Sequence, residues 1–189
     1  MAARDCTVAV VTGPPCSGKS TLAGSLRDVL GWPVLAKDDL KHALFDVLGV
    51  KDRRWSQELG RAAIEVLVRI SAELAATRTA HILDVNFIAC RDADRIEQIL
   101  AVSPSVVHLR CSAPIPVLQR RFEERVGAGG RHPGHVEDTQ LEVLGDRLLA
   151  GEWDVDLPCP TLELDTHRLS AAAARQAALD ALRRVGSQT

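Results

Sequence analysis

At 189 residues the chain suits one domain with a sizeable core, and residues 1–189 read as a single unit. Its formal net charge of −2 argues against a general affinity for nucleic acid, which needs a basic face. With 46% hydrophobic and 25% charged residues it has the make-up of a globular protein, not a disordered one, and no segment suits a bilayer span.

In chain order, Cys6–Val11 is a short apolar, β-branched run ended by Gly-Pro-Pro and predicts a buried strand. A helix follows from Lys19, with Leu22, Leu26, Val29 and Leu30 at helical spacing and Gly31 as its stop. Pro33–Ala36 is a second strand, and Asp38 reads as the cap of a helix reaching about Leu48. Trp55–Thr77 is a long helix, Ala80–Val85 a third strand, Asp92–Leu100 a helix and Ser105–Arg110 a fourth strand. Pro114 and Pro116 open a helix to Val126. The glycines and proline of Gly127–His135 predict a loop. A helix from about Glu137 to Ala150, a strand Thr161–Asp165 and a helix Ser170–Val185 complete the chain. This alternation implies an α/β fold: a parallel five-stranded sheet with helices on both faces and ligands at the carboxyl ends of the strands.

Five cysteines (Cys6, Cys16, Cys90, Cys111 and Cys159) are an odd number without C-x-x-C spacing, so they read as reduced thiols. The amino terminus lacks the apolar core of a signal peptide, and the cytoplasm is the expected location.

The strongest motif is Gly13-x-x-x-x-Gly18-Lys19-Ser20, a complete phosphate-binding P-loop between a predicted strand and a predicted helix. Gly13 and Gly18 let the backbone turn its N–H groups inward, and the first helical turn adds unpaired donors and a positive dipole end. Lys19 can reach the β- and γ-phosphates, and Ser20 can ligate Mg²⁺. The nucleotide site is expected to span Gly13, Pro14, Pro15, Cys16, Ser17, Gly18, Lys19, Ser20 and Thr21. Cys16 contributes its backbone, and its place makes its thiol a target for inactivation.

Lys37-Asp38-Asp39-Leu40-Lys41 falls at the end of the second strand, on the rim that carries the P-loop. A carboxylate there can take the proton of an attacking hydroxyl, while Lys37 or Lys41 holds an anionic group. Asp38 is the chosen base and Asp39 the reserve; both also suit the positive first turn of a helix. Asp84, ending the third strand ahead of Asn86, can hold Mg²⁺ through water or contact the acceptor, or can serve a turn. Arg121 and Arg125 lie four apart and share a helix face, with Arg120, Glu123 and Glu124 available for surface pairing. Arg131, His132 and His135, in the glycine-rich segment, can meet a polar acceptor. Two histidines alone make a weak metal case.

The ordered segments GPPCSGKST, KDDLKHALF, ILDVNF and PVLQRRFEER resemble the P-loop kinases grouped as ATPase-like predicted kinases, which are similar to polynucleotide 5′-kinase, chloramphenicol phosphotransferase and zeta-toxin kinases. The resemblance implies an adenylate-kinase-like fold with a lid at about 114–136. It implies an ATP- and Mg²⁺-dependent kinase acting on a hydroxyl, with Asp38 as base and Lys41 where polynucleotide kinases carry an arginine. It also implies that Ser20 and Asp84 hold the metal and that Arg121 and Arg125 neutralise the transferring phosphoryl group. A small-molecule acceptor is expected, met by Asp38, Lys41, Asp84, Asn86, Arg131, His132 and His135. A polynucleotide 5′-hydroxyl kinase fits the acidic charge and sparse aromatics less well. A nucleotide-sugar kinase of the toxin type stays open, as does a nucleotide-binding switch without transfer. Oligomeric state is not legible.

Overall fold

A computed structural model describes residues 7–102, 105–129, 132–135 and 138–186, with the side chains of 89, 90, 102, 138–142 and 186 outside the description. Arg131 therefore lies outside the described residues, as do Cys6, Glu137 and the thiol of Cys90.

The sheet is built from β1 (Thr7–Thr12), β2 (Val34–Ala36), β3 (His81–Asp84), β4 (Ser105–Ser112) and β5 (Thr161–Asp165). Its order is β2-β3-β1-β4-β5, and every pairing is parallel. β1 is buried along its whole length, which is why it reads as an unbroken apolar run and not as alternation.

Successive β1 residues point to opposite faces and build two cores. Val8 and Val10, with Leu83 and Val106, pack under Ile64 and Leu67 of α3 (Arg53–Ala76) and Ile96 and Ile99 of α4 (Ala89–Val102). Ala9 and Val11, with Ile82 and Leu109, pack under Leu22 and Leu26 of α1 (Lys19–Leu30) and Ala178 and Leu182 of α7 (Ala171–Gly186). The result is the expected three-layer α/β fold.

A third, smaller cluster of Phe122, Leu144 and Trp153 joins α5 (Ile115–Ala128) to α6 (Asp138–Leu149), and Cys16 of the phosphate loop packs against it. Register brings the functional rim together. Asp84 pairs with Val11 on one side and Ala36 on the other, so the ends of β1, β2 and β3 are level.

Four local expectations need correction. Strand β2 runs directly into α2 (Lys37–Leu48), with Ala36 in extended conformation at the N-cap; Asp38 sits in the first turn and is not the cap. Helix α5 continues through Gly127 and ends before Gly129, whose φ of 65° closes it. Of the predicted loop, Pro133–His135 forms a 3₁₀ turn. Helix α3 starts two residues early because the Asp52 carboxylate accepts from the Trp55 N–H at 2.9 Å.

Candidate active site

The phosphate loop is a backbone structure first. Gly13 (φ 144°) and Gly18 (φ 82°) both occupy the positive-φ region. A Cβ on Gly13 would collide with the Cys111 carbonyl oxygen and come within 2.6 Å of Ser17 Oγ, so the loop lies tight against β4. Gly18 is the N-cap of α1 with no side-chain cap, which keeps the first-turn N–H groups for a ligand. Cys16, with φ of 63°, takes a conformation that favours glycine. The Ser17 hydroxyl is buried with no hydrogen-bond partner among the described residues.

A cavity of about 450 Å³ opens from this loop, lined by Lys19, Thr21, Arg121, Arg125, Thr166 and Leu169 among others. Arg121 is fixed there: Nη1 donates to the Cys16 carbonyl at 3.3 Å and to Thr166 Oγ1 at 3.1 Å, and Nη2 to the Thr166 carbonyl at 3.1 Å. Arg125 stacks its guanidinium over the Phe122 ring at 4.7 Å. Arg120 instead faces solvent beside Glu124 at 3.6 Å.

A second, polar chamber of about 290 Å³ lies across the loop and is lined by Lys37, Asp38, Lys41, Asn86 and His135. Lys19, Ser20 and Arg125 line both chambers, so they mark where the two meet. Asp38 is half-buried with the Lys37 ammonium 3.1 Å from its Oδ1, whereas Asp39 is exposed and does not line the chamber. Lys41 is buried, donating to Ser56 Oγ at 2.8 Å and lying over the Phe45 ring.

Asp84 is buried beside Lys19 and Ser20 and lines neither chamber. Burial pushes its carboxyl above the usual carboxylate range, opposed by the Lys19 charge and a Ser20 hydroxyl bond and reinforced by Asp38 and Asp39. Its Oδ1 has no hydrogen-bond partner among the described residues. A buried carboxylate oxygen without a donor, beside a hydroxyl and a lysine at the end of a phosphate loop, fits a divalent cation carried with nucleotide phosphates.

His135 is held by the 3₁₀ turn. Its Nε2 lies 2.7 Å from His42 Nε2, and His132 stacks on Phe45 at 5.0 Å and faces Asp46 at 3.3 Å. A Cβ on Gly134 would come within 2.5 Å of the Phe45 ring, so the turn is seated directly on α2. His132 supports this seat and does not line the chamber; His135 does.

Thr166, His42 and the outer lining of Arg53, Arg91, Arg147 and Trp153 also belong to the site, beyond the residues expected from the sequence. Thr166 follows the end of β5, where the rule for parallel sheets would have pointed. The others come from four separate segments and carry no local motif. No group of three or more His, Cys, Asp or Glu side chains placed to hold a metal occurs among the described residues. No helix among them is long and apolar enough to cross a membrane.

Together the all-parallel sheet, the glycine-built phosphate loop and the paired chambers define a P-loop protein with a kinase-type fold. The chain belongs to the AAA domain family, whose profile matches residues 8–148. An inferred kinase of Chloroflexus aurantiacus J-10-fl is 32% identical, with a TM-score of 0.79 over 95% of this chain and 99% of that one. A sugar kinase of Janibacter sp. HTCC2649 shares the fold at 19% identity and a TM-score of 0.63, covering 96% of this chain and 95% of its own. Shikimate kinase of Acinetobacter baumannii, in complex with shikimate, does so at 19% and 0.53, covering 99% and 96%. No curated protein sequence matches the chain.

Proposed function

We propose that the protein is an ATP-dependent kinase that transfers the γ-phosphoryl group to a hydroxyl of a small molecule, with Asp38 as general base. The observation that carries this reading is the meeting of two chambers at Lys19, Ser20 and Arg125, with Asp38 in the chamber beyond the phosphates. A switch or simple nucleotide binder has no need of the second chamber.

The loop amides and Lys19 hold the β- and γ-phosphates, and Arg121, tied to Cys16 and Thr166, presents a fixed guanidinium to the same cavity. Mg²⁺, held by Ser20 and Asp84, would neutralise charge on the β- and γ-phosphate oxygens. Asp38 takes the proton as the acceptor oxygen bonds to γ-phosphorus and the bond to the β,γ-bridging oxygen breaks, leaving ADP. Lys37 donates to Asp38 Oδ1 at 3.1 Å and so orients that carboxylate. Segment 114–136 acts as the lid: Arg125, at its middle, and His135, near its end, both line the acceptor chamber.

The test is a panel of hydroxyl-bearing small molecules incubated with γ-labelled ATP and Mg²⁺, with Lys19→Ala as blank. Label in an organic product supports the reading. Label confined to free phosphate across the panel refutes it.

A further inference from the structure

The acceptor chamber does not end at Asp38. Beyond it lies a smaller chamber of about 120 Å³ that shares Pro15, Lys37, Lys41 and Asn86 with the first. Its cationic lining is Lys37, Lys41, Arg53, Arg91 and Arg147, and no carboxylate lines it among the described residues. Leaving aside Lys19 and Arg125, which also line the nucleotide cavity, the two chambers gather five of the chain's 23 lysines and arginines, with Asp38 the one carboxylate that lines either among the described residues, in a protein whose formal net charge is −2. A neutral acceptor gives no physical reason for that concentration of charge.

Two of the arginines are pre-set. Arg91 donates through Nε and Nη2 to Asp92, which is itself fixed by accepting from the Ile88 N–H at 2.9 Å. Arg147 donates through Nε and Nη2 to Glu152 and stacks over the Trp153 ring at 4.7 Å. Neither pair uses Nη1, so each guanidinium is oriented by its carboxylate with donors remaining.

Trp153 supplies an independent sign. It is 4% exposed and lines this chamber, yet its indole N–H is buried with no acceptor among the described residues. Tryptophan in a core finds a partner for that group, and an N–H left over beside a cationic cavity wants an oxygen anion.

We infer that the smaller chamber is an anion subsite of the acceptor, so that the substrate is a hydroxyl compound carrying a carboxylate or phosphate ester. The acidic group sits among Arg53, Arg91, Arg147 and the Trp153 indole, while the reacting hydroxyl reaches Asp38. This rests on the kinase reading for the hydroxyl but not for the anion, and the test separates the two.

In the first arm, inorganic phosphate and malonate are titrated at fixed ionic strength against chloride, with thermal stabilisation of the ATP-free protein as the readout. Lys19→Ala removes the phosphate loop as a competing anion site; Arg53→Gln and Trp153→Phe probe the subsite. Stabilisation that persists in Lys19→Ala and weakens about tenfold in apparent affinity in the other two is expected. Phosphate or malonate acting alone identifies which anion class is taken. Stabilisation no greater than with chloride overturns the inference, as does stabilisation lost in Lys19→Ala but unchanged in Arg53→Gln and Trp153→Phe. Trp153→Phe keeps the ring packing, so a purely structural tryptophan would leave anion affinity unmoved. In the second arm, transfer from γ-labelled ATP is compared between acidic acceptors and their neutral amides or dephosphorylated forms. A KM at least about tenfold lower for the acidic member is expected, and equal use of both overturns the subsite. Anion binding without transfer to any acceptor would retain the subsite and remove the kinase reading.

Discussion

Lowering the pH from 7 to 4.5 should destabilise this protein through one residue above all, His108. It lies on β4, fully buried, with Nε2 2.7 Å from Thr12 Oγ1 and Nδ1 3.3 Å from Thr161 Oγ1. Burial first, and the Arg110 charge second, push its imidazole from 6.5 down to about 4. The folded state therefore holds the ring neutral where the unfolded chain takes a proton. The stabilisation is complete above pH 6.5 and is lost as pH falls from there toward 4. At pH 4.5 the loss from this residue comes to about 2–3 kcal/mol. His81, also lowered mainly by burial, adds a loss of the same sign. Asp84, raised by burial, opposes it. Urea unfolding at pH 7 and 4.5 measures the difference, with His108→Gln as comparison. The variant keeps a side chain able to bond Thr12 and should lose about 2–3 kcal/mol less than wild type over this interval. Equal losses in the two proteins would refute the assignment.

Four further outcomes follow from the site. Asp84→Asn removes a buried charge, so the ligand-free variant should melt no lower than wild type while its stabilisation by Mg²⁺-ADP falls about tenfold or more, read by thermal shift. Gly134→Ala forces a methyl into the buried Phe45 ring and lifts the turn that carries His135; at about 1–3 kcal/mol of overpacking, the acceptor KM should rise about 5- to 150-fold with the ATP KM unchanged. Of the described thiols, Cys16 and Cys159 are both half-buried, but burial pushes the Cys159 thiol up, so Cys16 should react first with a maleimide and be protected by ATP. Cys111, buried with its thiol pushed up to about 12, should stay unmodified until the chain unfolds; peptide mass mapping decides both points.

The fold was legible because its signals are local and agree. β1 is an apolar run broken by Gly-Pro-Pro, α1 has periodic leucines and a closing glycine, and the phosphate motif sits between them in the order its chemistry needs. The boundaries that shifted did so where tertiary structure overrode a local preference. Gly127 stays helical although glycine is a weak helix former, in a helix whose last turn packs Val126 against the Trp153 cluster. Asp38 leaves the cap position because β2 enters α2 without an intervening turn. Of the candidate site, the rim residues Lys19, Ser20, Asp38 and Asp84 could be read because each ends a strand or begins a helix on one edge of a parallel sheet. The anion chamber could not, since Arg53, Arg91 and Arg147 meet only when α3, α4 and α6 are packed. The seat of His135 on Phe45 and His42 joins residues about ninety positions apart and has no counterpart in any motif.

Removal of the acceptor proton by Asp38 is read out by Asp38→Asn in a single-turnover assay with γ-labelled ATP, beside an independent measurement of ATP affinity. Transfer should fall by about 10²–10⁴-fold while ATP binds as in wild type, and Asp39→Asn, at an exposed position, should transfer normally. Transfer by Asp38→Asn at the wild-type rate would contradict that role.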